Sequence, residues 1–256
     1  MFLFDRAGRA LATFLTRPRP RRLQVATSQP GDLAATLIPG DVLLVDGDTR
    51  ISVAIKYLTQ SSWSHAALYI GDFLPAPTDG SERLVLIEAD VNAGVRAIPL
   101  STYATTHTRI CRPVGLSPTE IREVIQYAVE RLGHQYDVRH IWDLARYLLP
   151  TPPVPTRWRR RLLAVAAGDP TRAICSTLVA EAFDHIHYPI LPLSVMARDT
   201  DPAVVDNFAE LRHIRDNGLY MPRDFDVSPY FQIIKPTLIR GFDPHAWSAH
   251  AAAHAP

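Results

Sequence analysis

Ser62-Trp63-Ser64-His65-Ala66-Ala67-Leu68-Tyr69-Ile70-Gly71 reads as a β-strand from His65 to Ile70, stopped by Gly71-Asp72. Alternation with turn residues on both sides is the signal of a half-buried strand. Arg83-Leu84-Val85-Leu86-Ile87-Glu88-Ala89 follows the same rule, and Val95 to Leu100 and Thr108 to Pro113 suggest two more strands. Upstream, Ile38-Pro39-Gly40-Asp41 is a turn into the strand Val42 to Asp46, and Ile51 to Gln60 is compatible with a short helix. Residues from about 38 to 114 are thus strand-rich with hairpin-length connections, which predicts an antiparallel sheet.

The pattern changes at Ser117-Pro118-Thr119-Glu120, where an N-cap serine, a proline at the first helical position and an acid in the first turn announce a helix. Ile121, Val124, Ile125, Ala128, Val129 and Leu132 give it one apolar face before Gly133 closes it. Further helices are predicted over Val138 to Leu148 and Arg157 to Ala167, separated by a loop with three prolines between Pro150 and Pro155. A last helix opens on Cys175, with Leu178, Val179, Ala182 and Phe183 at helical spacing. From Tyr188 onward the pattern is irregular, with a possible strand at Tyr230 to Ile234 and a flexible tail at the end.

With 256 residues the chain can build one sizeable core. Twenty-seven basic against 26 acidic side chains leave no global field to attract nucleic acid, so no nucleic-acid partner is expected. Two cysteines, Cys111 and Cys175, are too few for a disulfide framework and lack zinc-site spacing. His134, His140, His185 and His187 are scattered without a convergent acidic set, and no metal or other cofactor is expected. A Gly-rich phosphate loop and a G-x-S-x-G elbow are both missing, which removes support for a nucleotide-binding enzyme or a serine hydrolase. No apolar run is long enough to span a bilayer, so a cytoplasmic location is the default. One qualification is the order Phe2, Leu3, Phe4, Leu11, Phe14, Leu15 with Arg6, Arg9, Arg17, Arg19, Arg21 and Arg22 around it. Such a basic amphipathic segment either touches an anionic membrane surface or packs on the domain.

Two residue types carry chemistry. At the start of a helix Cys175 sits where orphan N–H groups and the helix dipole favour a thiolate; a buried structural cysteine is the alternative. His65, on a strand, is fixed enough to act as its base if a partner holds the ring. Glu88 is the natural partner, since it ends an otherwise apolar strand and could set the imidazole tautomer; a strand-end charge is the bland alternative. Tyr136, just past a helix stop, could donate to an oxyanion or merely cap a core.

The ordered set Pro39-Gly40-Asp41, Ser64-His65-Ala66 with Gly71, Ile87-Glu88-Ala89, Gly133-x-x-Tyr136-Asp137 and Cys175-Ser176-x-Leu178-Val179 resembles the circularly permuted papain-like hydrolases of the YiiX and YebB type. These are relatives of the NlpC-type cell-wall peptidases and, more distantly, of lecithin retinol acyltransferases. The resemblance covers roughly residues 38 to 190. It implies Cys175 as nucleophile, His65 as base, Glu88 as the polar third member and Tyr136 near the thiol. The insertion between Tyr136 and Cys175 and the residues after about 190 fall outside the pattern.

The expectation is therefore an α+β, papain-like domain over 38–240, flanked by a basic segment at 1–37 and a tail at 241–256. A small antiparallel sheet packs against a helical part, with the nucleophile at a helix N-terminus and the histidine facing it from the sheet. The activity implied is a thiol hydrolase acting on an amide or ester of a small peptide, acyl-amino-acid or lipid-like substrate. A lipid acyltransferase with the same centre and a non-catalytic papain-like binding module are the alternatives. Oligomeric state stays open.

Overall fold

In the computed structural model, residues 26, 28–90, 92–135, 175–192, 220–241 and 243 are described. The sequence expectations for the N-terminal basic segment, Tyr136, the helices at 138–148 and 157–167 and most of the tail lie outside them. A six-stranded sheet organises the chain, with β1 (Val42–Val45), β2 (His65–Tyr69), β3 (Leu84–Asp90), β4 (Gly94–Pro99), β5 (Thr108–Pro113) and β6 (Phe231–Ile234). Its spatial order is β4-β3-β2-β1-β5-β6, and every neighbouring pair is antiparallel. The expected strand at the Tyr230–Ile234 region is thus the edge strand β6, closing a sheet otherwise built from residues 42–113.

Strand pleat separates two cores. Val42, Leu44, Ala66, Leu68, Ile87 and Ala89 face the helices α3 (Pro118–Val129) and α4 (Cys175–His185), meeting Val124, Ile125, Ala128, Leu178, Val179, Ala182 and Phe183. Leu43, Val45, Ala67, Leu86, Ile98 and Ile110 point the other way. There they are covered by Leu33 and Leu37 of the α1 (Pro30–Thr36) region. Ser28 to Asp32, a polar stretch without a helical pattern of its own, includes the start of α1: Pro30 occupies its first turn and Thr36 returns a hydroxyl to the Asp32 carbonyl. The remaining short elements are α2 (Arg50–Thr59), a 3-10 turn (Leu100–Tyr103), α5 (Pro222–Asp226) and α6 (Pro236–Ile239).

Two expectations from local sequence are realised in atoms. Ser117 and Glu120 form a reciprocal capping box at the start of α3, the Ser117 hydroxyl accepting from the Glu120 N–H and the Glu120 carboxylate from the Ser117 N–H. Asp41 of the Pro39-Gly40-Asp41 turn is fully buried, and Arg112 forks onto both its oxygens at 2.8 Å while the Ile38 N–H donates to one of them. That motif is therefore a brace joining the start of β1 to the end of β5, at the sheet end away from His65.

Candidate active site

His65 opens β2 and lies directly opposite Val45 of β1. Ala67, two residues on, lies opposite Glu88 of β3, and Glu88 in turn lies opposite Arg96 of β4. Because side chains alternate along a strand, His65, Glu88 and Arg96 all emerge on one face of three adjacent strands. His65 Nε2 and Glu88 Oε2 are 2.7 Å apart. The imidazole is about one-fifth exposed, whereas the carboxylate is 1% exposed.

Burial without partners would make the Glu88 carboxyl a weak acid. Here three hydrogen bonds and an ion pair oppose it: Arg96 Nε donates to Oε1 at 2.9 Å with Nη2 2.8 Å from the same oxygen, and Tyr103 donates its hydroxyl to Oε2 beside His65. Desolvation pushes the carboxyl up, but the charge of His65 and the hydrogen bonds from His65, Tyr103 and Arg96 outweigh it and hold the group at about 2. Glu88 is therefore an ionised acceptor for the imidazole. With Nε2 committed to that carboxylate, any proton exchanged with a thiol passes through Nδ1.

Cys175 is the first residue of α4, as the sequence pattern predicts. The helix packs against β2 and β3, the strands that carry His65 and Glu88. Its body lies on the Ala66, Leu68 and Ile87 face, however, whereas His65 and Glu88 are on the Ala67 and Leu86 face. The expectation that the histidine faces the helix from the sheet is corrected accordingly, the two-residue period of the strand being the reason. His65 is the first residue of β2, and its imidazole keeps about one-fifth of its surface exposed at that strand end. Nothing is described of the Cys175 side chain, and Tyr136 lies outside the described residues.

Cys111 is a free, fully buried thiol on the helix side of β5, and burial pushes its pKa far up. It is an inert core residue. Trp63 sits before the strand and turns into the helix-side core, its Nε1–H donated to Asp226 at 3.0 Å. Arg109 stacks over that ring and pairs with the same Asp226 at 2.5 Å, fastening the start of β2 to α5. Among the described residues no cluster of three or more His, Cys, Asp or Glu could hold a metal ion.

Sequence reading missed Arg96 and Tyr103. Arg96 had a detectable signal, a lone charge in the apolar run Gly94-Val95-Arg96-Ala97-Ile98, matching Glu88 in the preceding strand. Tyr103 had none, because only the fold of the turn after β4 brings it to Glu88.

Residues 36–148 match the model of a family described as permuted papain-like amidase enzyme, YaeF/YiiX, C92 family. That match spans a little under half of the chain. The matched span holds His65, Glu88 and Tyr136 and ends before Cys175. A crystal structure of the metalloprotein yiiX from Escherichia coli O157:H7 aligns with 77% of this chain and 96% of its own, at a TM-score of 0.44 and 16% identity. RuvB subunits of the Holliday junction branch migration complex from Anaeromyxobacter sp. strain K and Anaeromyxobacter dehalogenans are 27% identical over 212 residues. This chain spans 60% of the length of those relatives, with 78% of its own residues aligned. Among the described residues no helix is long and apolar enough to cross a membrane.

Proposed function

We propose that this chain is a thiol hydrolase of the permuted papain-like YaeF/YiiX type in which Cys175 is the nucleophile, His65 the base and Glu88 the group that orients the base. The observation that carries the reading is the His65 Nε2 to Glu88 contact at 2.7 Å, made by a carboxylate that is buried yet ionised. A carboxylate so placed selects the tautomer with hydrogen on Nε2 and stabilises the imidazolium formed when Nδ1 takes a proton. The α4 N-terminus favours the thiolate from the other side.

In the proposed reaction His65 takes the Cys175 proton and the thiolate adds to the carbonyl carbon of an amide or ester. The oxyanion is met by the backbone N–H of Cys175 with help from Tyr136, each donor contributing about 3 kcal/mol. Collapse of the adduct breaks the bond to the amine or alcohol, which leaves with the proton from His65. Water, deprotonated by His65, then releases the acid and the free thiol. Substrates of this class are small peptides, acyl-amino-acids or lipid-like acyl compounds, and the basic N-terminal segment would hold the enzyme near an anionic membrane surface.

Iodoacetamide at mildly acidic pH tests the centre, with alkylation read peptide by peptide in a mass spectrometer. Cys175 is expected to react, and a panel of peptide, acyl-amino-acid and phospholipid substrates to lose all turnover in Cys175→Ala. Cys111→Ala should leave both nearly intact. Turnover that survives in Cys175→Ala would refute the mechanism.

A further inference from the structure

We infer that Arg96 and Tyr103 are positioning residues of this centre, holding the Glu88 carboxylate so that one of its oxygens is committed to His65 Nε2. The inference rests on the reading of Cys175 and His65 as a thiol–imidazole pair. Its geometric basis is the division of labour at Glu88. Arg96 stands directly across from Glu88 in the β3–β4 register and takes Oε1 with two nitrogens, Nε at 2.9 Å and Nη2 at 2.8 Å. Tyr103 arrives from the 3-10 turn that follows β4 and donates to Oε2, the oxygen that His65 also uses.

These contacts fix the carboxylate plane. With Oε1 pinned by a planar guanidinium, rotation about the last side-chain bond of Glu88 is blocked, and Oε2 stays aimed at the imidazole. They also fix its charge state, since a carboxyl 1% exposed and stripped of donors would favour its neutral form and cease to support an imidazolium. The charged and titratable groups that face Glu88 are His65 from β2, Arg96 from β4 and Tyr103 from the turn. Asp90, two residues along β3, shares Arg96 through Nη2 at 3.4 Å. Arg96 is 43% exposed on an edge strand, so its alignment on Glu88 is not forced by packing. The Nε hydrogen bond and the Nη2 ion pair to Oε1 are what hold it there.

The experiment is Cys175 alkylation by iodoacetamide in the full chain, followed from about pH 3 to pH 9 by peptide mass spectrometry. In Tyr103→Phe the acid limb of the profile is expected about one pH unit higher than in the parent, and in Arg96→Met higher still, because Glu88 then takes a proton within the range scanned. Arg96→Lys should fall between, and guanidinium ion at a non-denaturing concentration should restore part of the loss in Arg96→Met. A merely structural role lowers the melting temperature without moving the limb, so folded variants with the parent's profile would overturn the inference. Should Arg96→Met fail to fold, Tyr103→Phe, which removes one hydroxyl, decides alone. A parent profile centred on the ordinary thiol value of about 8.5 would overturn the Cys175–His65 reading itself, and this inference with it. A shifted parent with unshifted variants overturns only the inference.

Discussion

At Glu88 two oxygens receive three hydrogen bonds and an ion pair from three elements, and this concentration of partners shows how the carboxylate is tuned. A neutral amide at this position would keep the shape but lose the charge that stabilises the imidazolium. One amide corner would also turn a donor toward a donor, against either Arg96 or the His65–Tyr103 pair. Glu88→Gln should therefore reduce kcat by about a hundredfold or more with a smaller change in KM, measured on whichever substrate the Cys175 centre turns over. An unchanged kcat would remove Glu88 from the mechanism. Cys111 illustrates the opposite case. It is chemically the same thiol, yet sealed among apolar side chains where a thiolate is strongly disfavoured.

Between elements, the junction of β4 with the end of α3 is the tightest fit. Val95 N–H donates to the His134 carbonyl and Gly133 N–H to the Val95 carbonyl, each at 2.9 Å, so the turn that leads toward Tyr136 is stitched to the strand bearing Arg96. Gly94 allows this approach. Its φ is +73°, and an added Cβ would lie 2.3 Å from the His134 carbonyl oxygen, a backbone atom that cannot swing aside. Gly94→Ala is expected to cost about 1–3 kcal/mol, read as a lower midpoint in denaturant, and to slow Cys175 alkylation by displacing the turn. No loss of stability would mean that the turn relaxes freely.

Over the whole molecule, acid sensitivity should report on the same carboxylate. The Glu88 pKa falls from an ordinary 4.5 to about 2 on folding, so it contributes stability above pH 4.5 that is lost as the pH drops toward 2. Its size is about 3 kcal/mol, from 1.36 kcal/mol per pKa unit. Asp41 works in the other direction. Burial raises its carboxyl despite the Arg112 fork, so its charged form costs stability as the pH rises through its folded value. Comparing the parent with Glu88→Gln cancels Asp41, and the difference in unfolding free energy should shrink by about 3 kcal/mol between pH 4.5 and 2. A difference that does not vary with pH would show that Glu88 is not held ionised by folding.

Local sequence was enough for the elements with strong periodic or capping signals. The strands at His65, Leu84, Gly94 and Thr108, the Ser117 cap and the helix opening on Cys175 all carry their signal within a few residues of sequence. The pairing of His65 with Glu88 was also legible, because a charge at the end of an apolar strand demands a partner and a strand histidine is one. By contrast α1 was hidden, since only burial of Leu33 and Leu37 against the far face of the sheet gives that polar stretch a reason to be helical. Arg96 and Tyr103 were hidden for a related reason: register across β3 and β4, and the turn that follows, bring them to Glu88 from 8 and 15 residues away. The sequence by itself thus determined the elements on which the candidate residues His65, Glu88 and Cys175 ride. Only the tertiary structure decided which face of the sheet they share and what holds their charge, because strand pairing and burial are properties of distant segments brought together.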